Sequence, residues 1–266
     1  MTPKGRASLA VLGAAVLFGT SGTSKALLVP DALPISVASV RLIVGAAGLV
    51  LFIRWLGHTD QFKALLRRPI IWLMGAAVAG YQGMFFIALG RTGIAVGTLV
   101  CLGSAPLMAG LLGWAVREGA PGWLWAGVTA LAVTGLAMLT LGSDIAPDAV
   151  GILAALGAAA SYAAYTVFGA RLARDGYDSS AVMAAPFAIA AVILLPFLFT
   201  GGPWWASLDG VVMAIWLGLA ATTGAYILFG KGLTFLQPGH IATLTLAEPV
   251  VATMLGVAVL GEVISA

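Results

Sequence analysis

The chain has 266 residues, of which 61% are hydrophobic and only 9% charged, and its mean hydropathy is +1.06. A soluble domain carries about 25% charged residues, so too few charges are present here to clothe a water-facing surface, and a multi-span membrane protein is the class that remains. The net charge of +3 does not indicate a nucleic-acid partner, and a single cysteine, Cys101, makes no internal disulfide and leaves the redox compartment unread.

A spanning helix needs about 20 apolar residues. Nine runs qualify, at roughly 7–28, 33–56, 69–89, 94–116, 122–141, 149–171, 179–200, 208–230 and 239–260. Short connections rich in turn formers separate them, among them "VPDALP", "REGAPG" and "GSDIAPDA". The first run is too long for a signal-peptide core and no cleavage-type flank follows it.

Span 1 carries Ser21, Ser24 and Lys25 on one face at spacings of three and four, beside Gly19 and Gly22, which weaken a helix. Lys25 reads either as an anion contact for a substrate carboxylate or as a side chain snorkelling to the outer headgroups. In span 2, Arg41 lies too deep to snorkel easily. It is expected to tie helices together by pairing with carbonyls or an acid, with substrate contact as the alternative. Span 3 offers Tyr81, Gln82 and Phe85. Span 4 holds Pro106, either a hinge or a tolerated kink.

Span 6 presents Ser161, Tyr162, Tyr165 and Thr166, and span 8 presents Thr222, Thr223 and Tyr226. Aromatic walls with a few polar handles suit a small amphipathic solute. For any one of these residues, bonding across helices is the competing role. Span 9 holds His240, Thr245 and the pair Glu248-Pro249. A charge at the bilayer centre costs about 2.5–3.5 kcal/mol and faces the bundle interior. Proline lacks an amide hydrogen and clashes with the carbonyl four residues back, so Pro249 should free the carbonyl of Thr245 next to the acid. Glu248 is then either a protonatable or substrate-binding group, or a neutral acid capping backbone across a helix interface.

With the N-terminus in the cytoplasm, ten basic residues lie inside (Lys4, Arg6, Arg54, Lys63, Arg67, Arg68, Arg117, Arg171, Arg174 and Lys231) and only Arg91 falls in an outer loop. Asp31, Asp144, Asp148, Asp209 and Glu262 fall outside. This bias sets the expected orientation in a cytoplasmic (inner) membrane. Six of the eight tryptophans sit at or beyond span ends, where an aromatic belt lies.

The chain also repeats itself. Residues 7–28 align with 151–172, and "CLGSAPLMAGLLGWAVREG" aligns with "LTLAEPVVATMLGVAVLGE", bringing Pro106 onto Pro249, Gly113 onto Gly256 and, after a one-residue shift, Glu118 onto Glu262. Spans 1–4 therefore correspond to spans 6–9. An odd number of spans per unit turns the second unit upside down, the pattern of secondary transporters with a site at the repeat interface. The expected units are 1–144 and 145–266. The counterpart of span 5 would be a tenth span, so the chain is expected to be a fragment or a shortened form.

On these stretches the chain resembles the EamA-type drug/metabolite transporters: "VLFGTSGTSK", "ISVASVRLIVGAAGLVL", "LAEPVVATMLGVAVLGE" and its weaker echo "GSAPLMAGLLGWAVRE". The resemblance implies an all-α fold of two inverted five-helix repeats and export or exchange of small metabolites, often amino acids, through a central cavity. The expectation is a carrier working by alternating access, with spans 1, 3, 4, 6, 8 and 9 lining the cavity and Pro106 and Pro249 as hinges. The expected partners are a small-molecule substrate, the lipid bilayer and a coupling proton, with the chain a monomer or a homodimer. No cofactor, metal or nucleic acid is expected. A channel and a membrane-embedded enzyme are the rival classes. The first would want repeated polar rings. The second would want a catalytic constellation that two histidines and scattered acids do not suggest.

Overall fold

The computed structural model describes residues 2–117, 122–139 and 148–261. Ser143, Asp144, Glu118 and Glu262, and the expected boundary at 144/145, lie outside the described residues. The described chain is all-α. Among the described residues eight helices are long and apolar enough to cross a membrane: α1 (Pro3–Leu28), α2 (Pro34–Trp55), α4 (Pro69–Gly93), α5 (Val96–Ala115), α7 (Ala149–Arg174), α8 (Ser179–Phe199, closing in a 3-10 turn from Leu195), α9 (Leu208–Phe235) and α10 (Pro238–Leu260). The run expected at 122–141 is α6, described over Trp123–Leu139. A further short helix, α3 (Thr59–Leu66), falls in the connection between the second and third spans, where none was expected. Its single buried residue is Leu65, and its charges face outward.

The helix starts follow from local chemistry. Pro3, Pro34, Pro69 and Pro238 stand in the first turn, where a missing N–H costs nothing. Asp148, Asp178 and Ser207 cap α7, α8 and α9 with side-chain oxygens that accept from Val150, Ser180 and Gly210 amides, each at 3.0 Å. Between α4 and α5 the chain reverses at Gly93, whose φ of 78° and ψ of 163° only glycine adopts readily. Residues eight apart in a straight helix are separated by about 12 Å. Here a methyl group on Gly97 would sit 3.1 Å from the amide nitrogen of Leu89, so the two spans fold back at once.

The paired spans α4 and α5 pack against α7, α2 packs against α8 and α9, and α1 packs against α9 and α10. Small residues set these distances, since apolar area gives no drive to associate inside lipid. Gly45 lies against Thr222, Gly75 against Ile189 and Gly232 against Val11. Arg6 and Lys231 border one surface hollow, and Lys4, Gln237 and His240 another, both beside Phe235, so these basic residues gather at one end of the bundle. The half of the bundle near that end is solid: Leu49, Ile53, Ile71, Met74, Met183 and Leu233 are completely enclosed. The other half contains a cavity.

Candidate functional site

The cavity holds about 270 Å³ and reaches the bundle end at the α1–α2 connection, between Lys25 and Pro34. Its inner limit is marked by Phe18 and Arg41, each seven residues further along α1 and α2, so it runs about 10 Å into the bundle. It is lined from α1, α2, α4, α5, α7, α9 and α10. The expected lining omitted α2. That helix supplies Pro34, Val37, Ala38 and Arg41, because Gly45 lets it approach α9 and turns this face inward.

The wall is aromatic. Tyr81 stacks on Phe85 with ring centroids 5.7 Å apart, Tyr162 meets Tyr165 edge-on at 5.2 Å, and Tyr226 lies between Phe18 at 5.0 Å and Phe187 at 4.1 Å. Such offset and edge-on pairs lock rings that carry few rotamers. The polar groups between them are Ser21, Gln82, Thr245, Lys25, Arg41 and Glu248. The Ser21 hydroxyl is buried with no hydrogen-bond partner among the described residues.

Glu248 sits where α10 comes apart. The helix runs Pro238–Thr245, is interrupted at Leu246, and resumes as Ala247–Leu260. Pro249 has no N–H to give the carbonyl of Thr245 and crowds it. The Leu246 amide donates to the Thr243 carbonyl at 3.2 Å, three residues back, so it no longer reaches Ala242. The Thr245 hydroxyl takes up that carbonyl instead, donating to Ala242 O at 2.9 Å. Its one proton is then committed, so Tyr162 is the donor in the 3.0 Å contact between the two hydroxyls. The break thus has its own satisfied polar network running from α7 into α10. Glu248 remains outside it. Among the described residues the ion pairs are His58–Asp178 at 3.3 Å and Arg91–Asp148 at 3.4 Å, both remote from the cavity. Among the described residues no cation stands within ion-pairing distance of the Glu248 carboxyl.

Gly19 holds α1 against this point. A methyl there would lie 2.8 Å from the Glu248 carbonyl oxygen and 2.8 Å from Val251 Cβ. The helix is continuous through Gly19 and Gly22. At Gly19 the missing side chain serves close approach.

Arg41 donates from Nε to the Thr222 hydroxyl at 3.0 Å, a helix-to-helix tie of the kind expected, though to a hydroxyl and not to a carbonyl or acid. Its guanidinium carbon lies 6.0 Å from the centre of the Phe18 ring. Lys25 lines the outer part of the cavity and its ammonium donates to the Pro30 carbonyl at 2.7 Å, which serves the α1–α2 turn.

The cavity therefore gathers Ser21, Lys25, Arg41, Tyr81, Gln82, Tyr162, Tyr165, Tyr226, Thr245 and Glu248. Ser24 is left out, because its hydroxyl turns back onto the Thr20 carbonyl at 2.8 Å within its own helix. Pro249 does not line the cavity, and its helix is interrupted three residues before it, at Leu246. Pro106 is different: α5 continues through it as a helix, and Ala105, the position matching Glu248, meets the cavity with a methyl. His240 is exposed at the basic end. Sequence reasoning missed Phe18 and Thr222 as site residues. Phe18 was within reach, since it precedes Ser21 and Lys25 by three and seven residues and shares their face. Thr222 was named only as part of a polar face. Its role depends on a nine-residue π-helical stretch, Trp216–Gly224, that no periodicity announces.

The all-helical architecture and its apolar spans define a multi-pass membrane protein with a central cavity. Residues 149–266 match the model of the EamA-like transporter family. The chain is 38% identical to the uncharacterized transporter YwfM of Bacillus subtilis (strain 168), over 97% of this chain and 87% of that protein. It is 30% identical to the uncharacterized protein PA1977 of Pseudomonas aeruginosa, over 96% and 86% of the two chains. A solved crystal structure superposes with a TM-score of 0.81 over 98% of this chain and 90% of that one, and at 21% identity the likeness is one of fold. The chain belongs to the EamA-like transporter family and is a membrane transporter.

Proposed function

We propose that this protein is a secondary transporter moving small metabolites, amino acids or related compounds, out of the cell across the cytoplasmic membrane by alternating access. The observation that carries the reading is the shape and chemistry of the cavity. It is reached from one end of the bundle, closed by packed side chains at the other, and holds an unpaired carboxyl beside a broken spanning helix. A channel would need a continuous path, and the solid basic end offers none. A site near the middle of the bundle beside a discontinuous helix is the arrangement carriers use.

On this reading residues 1–144 and 145–266 are inverted repeats, the N-terminus is cytoplasmic and the cavity opens outward. Glu248 takes up and releases a proton as the two halves rock. The break before Pro249 is the flexible point, and Pro106 is its stiffer counterpart.

Two experiments test it. The purified protein is screened by thermal shift against amino acids, purines and organic cations, since a ligand of the native state raises its apparent stability. The best binder is then followed by counterflow in proteoliposomes. Accumulation of labelled solute against unlabelled solute inside is expected, and binding without counterflow sinks the transporter mechanism. For orientation, Cys101 is replaced and single cysteines are placed at Asp31 and Ala64, both exposed. An impermeant thiol reagent should label Asp31→Cys on intact cells and spare Ala64→Cys. The reverse pattern overturns the topology.

A further inference from the structure

The second charge on the cavity floor is built into the wall in an unusual way. Among the described residues Arg41 is anchored through Nε alone, the inner nitrogen of its guanidinium fork, by the Thr222 hydroxyl at 3.0 Å. That hydroxyl accepts from Arg41 because its own proton is spent on the Leu217 carbonyl at 2.7 Å, five residues back. A threonine in a regular α-helix bonds back three or four residues. The five-residue reach comes from the π-helical stretch, and Thr223 repeats it with Gly218 O at 3.1 Å. The single Thr223 proton is shared between that carbonyl and the Gly45 carbonyl at 3.0 Å, one turn along α2 from Arg41. The π stretch therefore grips α2 at two successive turns, and the first grip fixes the arginine.

What is left over points to a ligand. Among the described residues the two terminal amines of Arg41 carry no hydrogen bond, and no acid pairs with them. Arg41 lines the cavity, with the Phe18 ring beside its guanidinium. A fork held by its inner nitrogen, with both outer nitrogens open, matches the two oxygens of a planar oxyanion. A dianionic phosphate would stand in the same small cavity as the Glu248 carboxyl and would be disfavoured by an aromatic wall. A monoanionic carboxylate carries half that charge and lessens both penalties.

We propose that Arg41, positioned by Thr222 on the π-helical stretch, is the carboxylate-binding end of the cavity, so that the transported solute carries a carboxylate. This rests on the reading of the cavity as the transport site. It assigns to Arg41 the anion contact that the sequence offered to Lys25, and it makes Thr222 a positioning residue that never touches solute.

The test needs no knowledge of the natural solute. Purified protein is treated with phenylglyoxal, and modification of Arg41 is followed by peptide mass spectrometry with benzoate or benzyl alcohol as the probe. Benzoate should slow modification of Arg41 and benzyl alcohol should not. Thr222→Val keeps the shape and removes the hydroxyl. It should raise the benzoate concentration needed for protection by about tenfold, the worth of one oriented hydrogen bond to a charged group. Thr222→Ser should keep protection near the wild-type value. Equal protection by both probes, none by benzoate, or wild-type protection in Thr222→Val overturns the proposal. Should Thr222→Val fail to fold, the contrast between probes and the Thr222→Ser result still decide it. Counterflow of a solute without a carboxylate, with Arg41 unprotected by benzoate, would remove this assignment and leave the transporter reading in place.

Discussion

Gly19 and Gly22 lie one turn apart on α1, both at the cavity, and differ in one respect that a single methyl group exposes. At Gly22 an added Cβ meets nothing within 4 Å. At Gly19 it would lie 2.8 Å from the Glu248 carbonyl oxygen and 2.8 Å from Val251 Cβ. Carbon atoms at rest sit about 3.5–4.0 Å apart, so α1 and α10 must separate by roughly 1 Å to admit it. Overpacking of this kind costs about 1–3 kcal/mol. Replacing glycine by alanine inside a helix returns about 1 kcal/mol of propensity, and both variants receive it. The difference between Gly19→Ala and Gly22→Ala is then the contact alone. Thermal unfolding in one detergent should put Gly19→Ala below Gly22→Ala by several degrees, taking about 2–4 °C per kcal/mol for a chain of this size. Because the displaced group is the backbone of Glu248, transport should fall in Gly19→Ala as well. Equal stability of the two variants would refute the close approach of α1 to the broken helix, and with it the account of how Glu248 is held.

Glu248→Gln keeps the size and hydrogen bonding of a neutral acid but cannot ionise. It should insert and unfold like the wild type while counterflow loses its dependence on pH, and an unchanged pH profile would make the glutamate structural. Glu248→Ala removes the packing contact too and should also unfold earlier in the same thermal assay. Tyr162→Phe deletes the donor to Thr245 and should cost about 0.5–1.5 kcal/mol, read as a lower unfolding temperature, because the Thr245 hydroxyl keeps its bond to Ala242. Gly93→Ala puts a side chain where φ is 78° and should lower both the yield of inserted protein and its unfolding temperature, with no such loss for Gly90→Ala, where a Cβ meets open space.

The spans were legible because lipid imposes a length and a composition on any helix that crosses it, and those survive in a single sequence. The helix starts rest on local chemistry that went unread: Pro34, Pro69, Pro238, Asp148 and Ser207 act on their own first turn and need no partner to do so. The cavity residues were found in outline because an ionisable or hydroxyl group inside an apolar run has few places to go. What the sequence hid depends on how a side chain turns once its helix is placed. Ser24 looked like Ser21, one turn below it, yet one hydroxyl closes on its own helix and the other is left open in the cavity. Arg41 looked like a tie between helices, and its inner nitrogen is one. The short α3 was missed because eight residues are too few to register a period.

The two departures from regular helix share a logic that ties fold to site. In α10 the missing amide of Pro249 and the shifted bond of Leu246 disturb the carbonyl ladder, and the repair by Thr245 and Tyr162 leaves Glu248 uninvolved. In α9 the π-helical stretch spends the threonine proton on Leu217, and that leaves the oxygen free to hold Arg41. In each case a local fault in backbone bonding is satisfied by a hydroxyl, and the neighbouring charge is the group left unspent. Buried backbone groups that lose a partner must find another, and in a membrane water is not at hand to supply it. A threonine hydroxyl can do so without adding charge. A cavity floor with one open carboxyl and one open guanidinium fork, not paired to each other, is therefore what the two repaired helices leave behind. It is also the arrangement in which a solute bearing both an ammonium and a carboxylate would complete two hydrogen-bonded charges at once. On the proposed reading, a solute with only one of them would leave the other floor charge without a partner, and that difference would select between them.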